Sequence, residues 1–307
     1  MKVLITGGAG FIGSSLADAL IEKRNYEIVL VDNLLTGKTE NLPKHHSCRF
    51  IKCDVNRYND IASIFLAFRF DYVFHYAAVV GVKRTLDNPV MVLDDLQGIR
   101  NVLDLSKNTG VRRVFFSSSS EVYGEPVQLP QHEHTTPLNS RLPYAVVKNV
   151  GESFCRAYQR EFELEYTLFR FFNTYGPKQS ADFVISKFID AALKNEDITI
   201  YGDGSQTRTF CHIKDNTEAC INAMENPVFI NDVVNIGNDE TFTVLDLAKL
   251  IIDLAGSSSR IIHLPALPEG DMTRRQPDIS NMKQLLNRNF IPLEKGLQEI
   301  IAHKKKK

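Results

Sequence analysis

Tyr144 and Lys148, in the run Leu142-Pro143-Tyr144-Ala145-Val146-Val147-Lys148, are the residues of this chain best suited to proton chemistry. A phenol titrates near ~10 when unperturbed and is a poor base at neutral pH, but positive charge close by favours its phenolate. On a helix, residues at this spacing share one face. Tyr-x-x-x-Lys by itself is a common coincidence between two surface side chains. The case for chemistry rests on the elements around it.

The first of these is at the N-terminus. Lys2-Val3-Leu4-Ile5-Thr6 is a short apolar run, followed by Gly7-Gly8-Ala9-Gly10-Phe11-Ile12-Gly13 and a helix-patterned segment from Ser14 to Lys23. Strand, glycine loop and helix in that order form a phosphate cradle. Gly7 permits the tight turn, Gly10 lets the backbone approach a pyrophosphate, and Gly13 lets the helix pack on its strand. The helix N-terminus then presents free N–H groups and a positive dipole end. A second strand, Glu27-Ile28-Val29-Leu30-Val31, ends in Asp32, 19 residues beyond Gly13. A carboxylate there accepts hydrogen bonds from both hydroxyls of an adenosine ribose and repels a 2′-phosphate, so NAD is favoured over NADP. The cationic nicotinamide of NAD+ is then a source of positive charge for Tyr144.

Composition restricts the reading without deciding it. A length of 307 residues allows a large core, and a net charge of -1 gives no reason to expect nucleic acid or an anionic membrane as partner. The cysteines, Cys48, Cys53, Cys155, Cys211 and Cys220, are scattered without metal-like spacing, so no metal site is expected and a reduced, cytoplasmic setting is the simplest expectation. No run of about twenty apolar residues suggests a membrane span, and the first apolar stretch reads as a strand rather than a signal peptide. His303 and Lys304 to Lys307 read as a solvated, disordered basic tail.

Apolar runs alternate with amphipathic segments of helical length, the pattern of a parallel sheet covered on both faces. Further strands are expected at Arg49 to Cys53, Asp71 to His75, Arg112 to Ser117 and Glu165 to Phe169, with helices at Val90 to Lys107 and Tyr144 to Phe162. From Phe171 the pattern loosens, and Asp232-Val233-Val234-Asn235-Ile236 reads as a late strand that rejoins the sheet. The expected fold is therefore α/β, a Rossmann-like doubly wound parallel sheet with a smaller C-terminal substrate-binding lobe. Residues 1–170 with a returning segment 207–238 are assigned to the nucleotide-binding domain, and 171–206 with 239–307 to the lobe. Ligands are expected in the cleft at the carboxyl ends of the strands.

These residues resemble the extended short-chain dehydrogenase/reductases that act on nucleoside-diphosphate sugars. The matching stretches are the glycine loop, Asp54, His75-Tyr76-Ala77-Ala78, Ser117 to Gly124, Pro143-Tyr144 to Lys148, Arg170 to Pro177, Thr207-Arg208-Thr209-Phe210 and Arg275-Gln276-Pro277-Asp278, in the family's order over nearly the whole chain. The resemblance implies that a tyrosine phenolate takes the proton from the sugar 4-hydroxyl while NAD+ takes hydride from C4, leaving a 4-keto sugar. By this likeness Tyr144 is the base, Lys148 lowers its pKa and binds the nicotinamide ribose, and Ser119 hydrogen-bonds O4. Cofactor contacts are implied for Gly7, Gly10, Phe11, Ile12, Gly13, Asp32, Asn33, Asp54, Val55, Ala77, Ala78, Tyr144 and Lys148. Substrate contacts are implied for Ser119, Ser120, Tyr144, Asn173, Tyr201, Arg208 and Arg275, with the two arginines suited to paired phosphates and Tyr201 to the base, for which UDP is expected.

Reaction type should lie in Ser117 to Gly124. Family epimerases usually carry a small or hydroxyl residue where this chain has Glu121, whereas 4,6-dehydratases and glucuronate decarboxylases carry glutamate. Ser120 stands where dTDP-glucose 4,6-dehydratases have an aspartate that protonates the departing hydroxyl. The residues around Arg208 and Arg274 to Leu285 resemble decarboxylases, and those around Tyr144 and Ala77 to Val82 resemble epimerases. Decarboxylation or dehydration is thus placed ahead of 4-epimerisation. A non-catalytic NAD-binding regulator is the alternative from another class, against which Ser119, Tyr144 and Lys148 argue. Three departures from the family pattern stand out: Asp95 in place of asparagine, Val147 in place of a frequent serine, and Asn287 to Phe290 in place of a Gly-Trp turn. A homodimer pairing the helices Val90 to Lys107 and Tyr144 to Phe162 with their copies is expected by the same resemblance.

Overall fold

Short runs rich in β-branched and aromatic residues become the strands of one parallel sheet in the computed structural model, which describes residues 1–265 and 274–305. These strands are β1 (Lys2–Thr6), β2 (Glu27–Asp32), β3 (Cys48–Lys52), β4 (Tyr72–His75), β5 (Arg113–Ser119), β6 (Glu165–Phe171) and β7 (Asp232–Ile236). Their order is β7-β6-β5-β4-β1-β2-β3, and each pair is parallel. The order reverses between β1 and β4, where the loops after the two strands leave in opposite directions and open a crevice.

Both faces of the sheet are covered, which is why its strands are continuously apolar rather than alternating. Leu4, Val31, Phe116 and other residues pointing to one side pack under α2 (Tyr58–Phe68), α3 (Asp95–Thr109) and α4 (Pro143–Phe162), which contribute Ile61, Val102 and Val147. Ile5, Leu30, Phe115 and Ile236 point to the other side, against Leu16 of α1 (Phe11–Lys23) and Cys220 of α5 (Ile213–Glu225). A separate core of Ile185, Phe188, Ile200, Leu247, Ile251 and Leu297 gathers the helices Val184–Lys194, Val244–Ala255 and Leu293–Lys304 on the parallel pair Ile198–Tyr201 and Ile261–Leu264. Chain segments after Phe171 therefore build this smaller core, yet α5 and β7 lie in the sheet layer.

Differences from the sequence expectation concern boundaries and one terminus. β5 runs two residues further, to Ser119, and this extension carries Ser118 and Ser119 to the sheet's end. The expected helix from Val90 to Lys107 is divided at Asp94 into Pro89–Leu93 and α3, although Asp94 keeps helical dihedrals (φ -60°, ψ -25°). His303 and Lys304, expected in a disordered tail, close the helix Leu293–Lys304, and the Lys304 Nζ donates to Asp190. The apolar stripe Leu293, Leu297, Ile300 and Ile301 beneath them orders the segment; Lys306 and Lys307 lie outside the described residues. Among the described residues no helix is long and apolar enough to cross a membrane.

A buried polar network supports the end of β5. Glu152 on α4 is fully buried and accepts from Ser118 Oγ (2.6 Å) and from Arg170 Nε and Nη2 on β6 (2.8 and 2.7 Å). Arg170 Nη1 reaches the Tyr123 hydroxyl (2.9 Å), which itself donates to Asn235 Oδ1 on β7 (2.7 Å). The guanidinium holds the Glu152 carboxyl below its ordinary range despite burial, which acts the other way. Three strands and a helix are thereby fixed around the residues that follow Ser118.

Candidate active site

A cleft of about 600 Å³ opens at the carboxyl ends of the strands. Its floor is the glycine loop. Gly7 has φ +67°, and a Cβ there would stand 2.8 Å from the backbone of Tyr76 and Ala77. A Cβ on Gly13 would stand 2.5 Å from the Gly7 carbonyl oxygen, so the first turn of α1 can close on the loop only without a side chain. Asp32, at the end of β2, is buried and accepts from the Ala9 and Leu34 backbone N–H groups (3.0 and 2.7 Å). Burial pushes its carboxyl above the usual range while those N–H groups pull it down. The loop after it folds back so that a Cβ on Gly37 would lie 2.7 Å from the carboxylate.

The wall opposite is set by a contact that sequence reading did not assign. Thr6 Oγ1 accepts from the N–H groups of Tyr76 and Ala77 (both 3.0 Å) and lies 2.8 Å from His75 Nδ1. With both lone pairs occupied, the hydroxyl gives its own proton to Nδ1, which fixes His75 as a neutral acceptor there. Burial lowers His75 to about 3, and Lys148 adds to the effect. Ala77 and Ala78 are thus held beside Gly7. The signal for this was the threonine closing β1 and the histidine closing β4, adjacent in register.

At the other end of the cleft β5 delivers Ser119 and α4 delivers Tyr144 and Lys148. Pro143 at the first position starts the helix, placing Tyr144 in its first turn and Lys148 one turn on. Ser119 caps the short turn Ser120–Tyr123, its Oγ accepting from the Glu121 N–H (3.2 Å), and it hydrogen-bonds the Tyr144 hydroxyl. Lys148 is buried, donates to Ser117 Oγ (3.1 Å) and lies over the rings of Phe116 and Tyr144, 5.1 and 5.7 Å from their centroids. Burial lowers the ammonium to about 8, against an upward pull from Asp95. The Tyr144 phenol is pushed above its ordinary value, first by burial and then by the Glu121 carboxylate; the Ser119 hydrogen bond acts the other way. Arg275, rather than Lys148, is the cation that opposes the rise. The expected depression of the phenol by Lys148 is therefore not supplied by the polypeptide alone.

Glu121 stands beside Arg275, with Oε1 3.8 Å from Nη2, and Arg275 Nη1 lies 3.4 Å from Ser120 Oγ. Asn173 donates to the Thr209 carbonyl (3.2 Å), and Arg208, next along the strand Thr207–Thr209, donates to the Thr207 carbonyl (2.8 Å). Every site residue assigned from the sequence borders the cleft except Tyr201. Tyr201 ends a strand whose alternation sends Ile198 and Ile200 into the lobe core, leaving it 38% exposed outside the cleft lining. Gln179 and Phe183, which no motif marked, line the cleft instead, together with Phe210, which the matched stretch Thr207 to Phe210 contained without a role.

Sheet order, glycine loop and the carboxylate closing β2 together define a dinucleotide-binding α/β protein. The sequence pattern of the NAD dependent epimerase/dehydratase family matches residues 3–237. The chain is 36% identical over 313 residues to UDP-glucuronic acid decarboxylase 1 of Danio rerio, covering 98% of this chain and 72% of that protein. It is 35% identical over 322 residues to UDP-N-acetyl-alpha-D-glucosaminuronate decarboxylase of Bacillus cytotoxicus, covering 98% and 96%. Among solved structures, UDP-glucose 4-epimerase of Thermotoga maritima superposes with a TM-score of 0.94 at 32% identity, covering 100% of this chain and 99% of that one. The chain belongs to the NAD dependent epimerase/dehydratase family.

The residues present fit that cofactor: the glycine loop, where a Cβ at Gly7 or Gly13 would meet backbone, would receive the pyrophosphate, and Asp32 retains lone pairs that a ribose could use. Gly13→Ala tests the cradle. The added methyl must displace the Gly7 carbonyl, so the variant is expected to lose about 1–3 kcal/mol of stability and to bind NAD more weakly. Thermal denaturation and fluorescence titration with NADH measure the two effects; a variant with unchanged affinity would show that the loop does not carry the phosphates.

Proposed function

We propose that this protein acts on a UDP-sugar carrying a 6-carboxylate, oxidising C4 and releasing carbon dioxide. The observation that carries the reading is the Glu121–Arg275 pair placed at the Tyr144 end of the cleft. NAD+, which the glycine loop, Asp32 and Lys148 would hold, would supply a reversible two-electron acceptor for C4 and, through its ring charge, favour the phenolate. Tyr144 takes the proton of the 4-hydroxyl, Ser119 holds the same oxygen, and Lys148 keeps positive charge beneath both. A carbonyl at C4 makes the sugar a β-keto acid: the C5–C6 bond breaks, its electron pair forms the enolate on O4, and carbon dioxide leaves. The enolate then takes a proton from solvent at C5, and the hydride first removed from C4 would return there from the reduced cofactor as Tyr144 gives its proton back to O4. Arg275, expected from the sequence to share the paired phosphates with Arg208, lies beside Glu121 and Ser120 and in this reading offers its guanidinium to the sugar carboxylate, which leaves the diphosphate to Arg208 and Asn173. Glu121 is a like charge beside that carboxylate, a repulsion relieved when neutral carbon dioxide departs.

A second reading, 4-epimerisation, is favoured by the close superposition with a 4-epimerase. It requires Ser119, Tyr144 and Lys148 but leaves Glu121 without a part in the chemistry. Incubation with UDP-glucuronate, UDP-glucose and their N-acetyl analogues, read by product mass, separates the two: loss of carbon dioxide supports the first, an isomer of unchanged mass the second, and loss of water a dehydratase. Glu121→Gln is expected to slow carbon dioxide release on the order of 10²-fold while sparing an epimerisation. Protein that holds NAD yet turns over none of these sugars would be a regulator instead.

The exposed apolar residues Val90 (71%), Leu93 (44%), Val146 (38%) and Phe162 (46%), on Pro89–Leu93 and α4, suit a homodimer through those helices. A monomeric mass in solution at micromolar concentration would exclude it. Five unpaired cysteines suit a reducing, cytoplasmic setting.

A further inference from the structure

The loop that follows β2 walls the cleft beside Asp32, where Asn33, Leu35 and Thr36 contribute to the lining. Its far end is tied to the glycine loop: the Ala9 carbonyl accepts from the Lys38 N–H (2.9 Å) and from Asn41 Nδ2 (3.0 Å). The Asn41 carbonyl accepts in turn from Lys178 Nζ (2.8 Å), whose other bond goes to Asp18 Oδ2 on α1 (2.6 Å). One ammonium therefore joins the loop to α1. The turn that carries it, Tyr175-Gly176-Pro177-Lys178-Gln179, is firmly seated. A Cβ at Gly176 would stand 2.5 Å from Ile213 Cγ2 and 3.1 Å from Phe11 Cε2, so the turn lies directly on the glycine loop. From the lobe side, Gln179 Nε2 donates to the Thr174 carbonyl (2.7 Å), and the Gln179 carbonyl accepts from Ser186 Oγ (3.3 Å) on the helix Val184–Lys194. The Lys178 side chain is 25% exposed, so water screens its bonds less than it would on an open surface.

We propose that Lys178 is a latch for the cofactor, a positioning residue that holds the loop after β2 closed along the cleft and thereby slows the release of NAD. Lys178 does not line the cleft itself, so it acts through the loop. A ligand walled in by a loop leaves when the loop opens, and opening here requires breaking the bond from Lys178 to the Asn41 carbonyl. Without that bond the two donors to the Ala9 carbonyl still shape the loop, but it opens more often. Asp18 has a part in this as the anchor that keeps the ammonium pointed at Asn41. The latch concerns the cofactor alone and does not depend on which sugar the protein takes.

The test loads the protein with NADH and mixes it rapidly with excess NAD+, the change in NADH fluorescence giving the release rate. Lys178→Met is expected to release NADH about 10-fold faster than the native protein, the scale of one charge-assisted hydrogen bond. Lys178→Arg, which keeps the charge and has donors for both acceptors, is expected to stay within about 2-fold of the native rate. Asp18→Ala separates a latch from simple attraction between Lys178 and the cofactor phosphates. Attraction alone predicts slower release once the neighbouring anion is gone, whereas a latch that has lost its anchor predicts faster release. Both substitutions together are expected to speed release no more than Lys178→Met does, since they break one contact network. A native release rate in Lys178→Met, or a native or slower rate in Asp18→Ala, overturns the proposal. A merely structural role for Lys178 would lower the melting temperature or the number of NADH sites and leave the release rate of the remaining sites unchanged, which also overturns it. Should Lys178→Met not fold, Asp18→Ala, which changes a half-exposed side chain on α1, is decisive by its sign.

Discussion

Tyr144→Phe is expected to reduce turnover of the UDP-sugar by about 10³- to 10⁴-fold with little change in stability. The substitution removes one oxygen from a side chain that is otherwise packed against the core beside α4. That oxygen is the hydrogen-bond partner of Ser119 and, in the proposed function, the acceptor of the 4-hydroxyl proton. Glu121 is a carboxylate near enough to influence the phenol, but it faces Arg275. Since the glycine loop and Asp32 are untouched, NAD should still bind, with at most the small loss of the Tyr144 hydroxyl's own contact, and KM should change less than kcat because the main loss falls on the transition state. Steady-state kinetics and NADH titration on the same preparation check this. Retention of a tenth of native turnover would remove Tyr144 from the role of base.

The second large effect concerns stability. Arg170→Met is expected to cost about 3–5 kcal/mol, because it leaves Glu152 buried without its bidentate partner. Arg156, which also reaches Glu152 (3.0 Å) from the helix surface, is partly exposed and compensates only in part. The pH dependence has a defined sign. In the native protein the Glu152 carboxyl is held low, so its contribution is present above the ordinary carboxylate range and is lost as pH falls through the folded value. In the variant, burial would dominate and push the same carboxyl up, so its stability should fall as pH rises through that raised value. Urea denaturation of both proteins across pH 4 to 8 measures the difference. Parallel curves would mean that Glu152 is not the charge Arg170 compensates. Because Ser118 hangs from the same carboxylate, the variant should also loosen the Ser119 to Glu121 turn and lower turnover in the remaining folded protein.

Much of the fold was legible because its signals are local. β1, the glycines and α1 adjoin in sequence, and a strand buried on both faces must be apolar throughout, so β1 and β2 announce themselves. The spacing of Tyr144 and Lys148 is a property of one helix. Boundaries were less legible: Ser118 and Ser119 extend β5 because Arg170 and Phe171 of β6 pair with them, a partner no local pattern reveals. The order at the C-terminus follows from the stripe Leu293 to Ile301, which the lysines obscured by composition.

The candidate site divides in the same way. Sequence alone determined the residue types that can cradle a pyrophosphate, hold a ribose and move a proton, since these demands fall on short segments where spacing sets geometry. Tertiary structure decided which distant segments meet: Arg275 beside Glu121 and Ser120, Thr6 pinning Ala77, and Tyr201 turned outside the cleft. The reason is electrostatic as well as geometric. A charge's influence depends on burial and on which other charges face it, and both are set by packing between elements far apart in the chain, such as Ser120 and Arg275, separated by 155 residues.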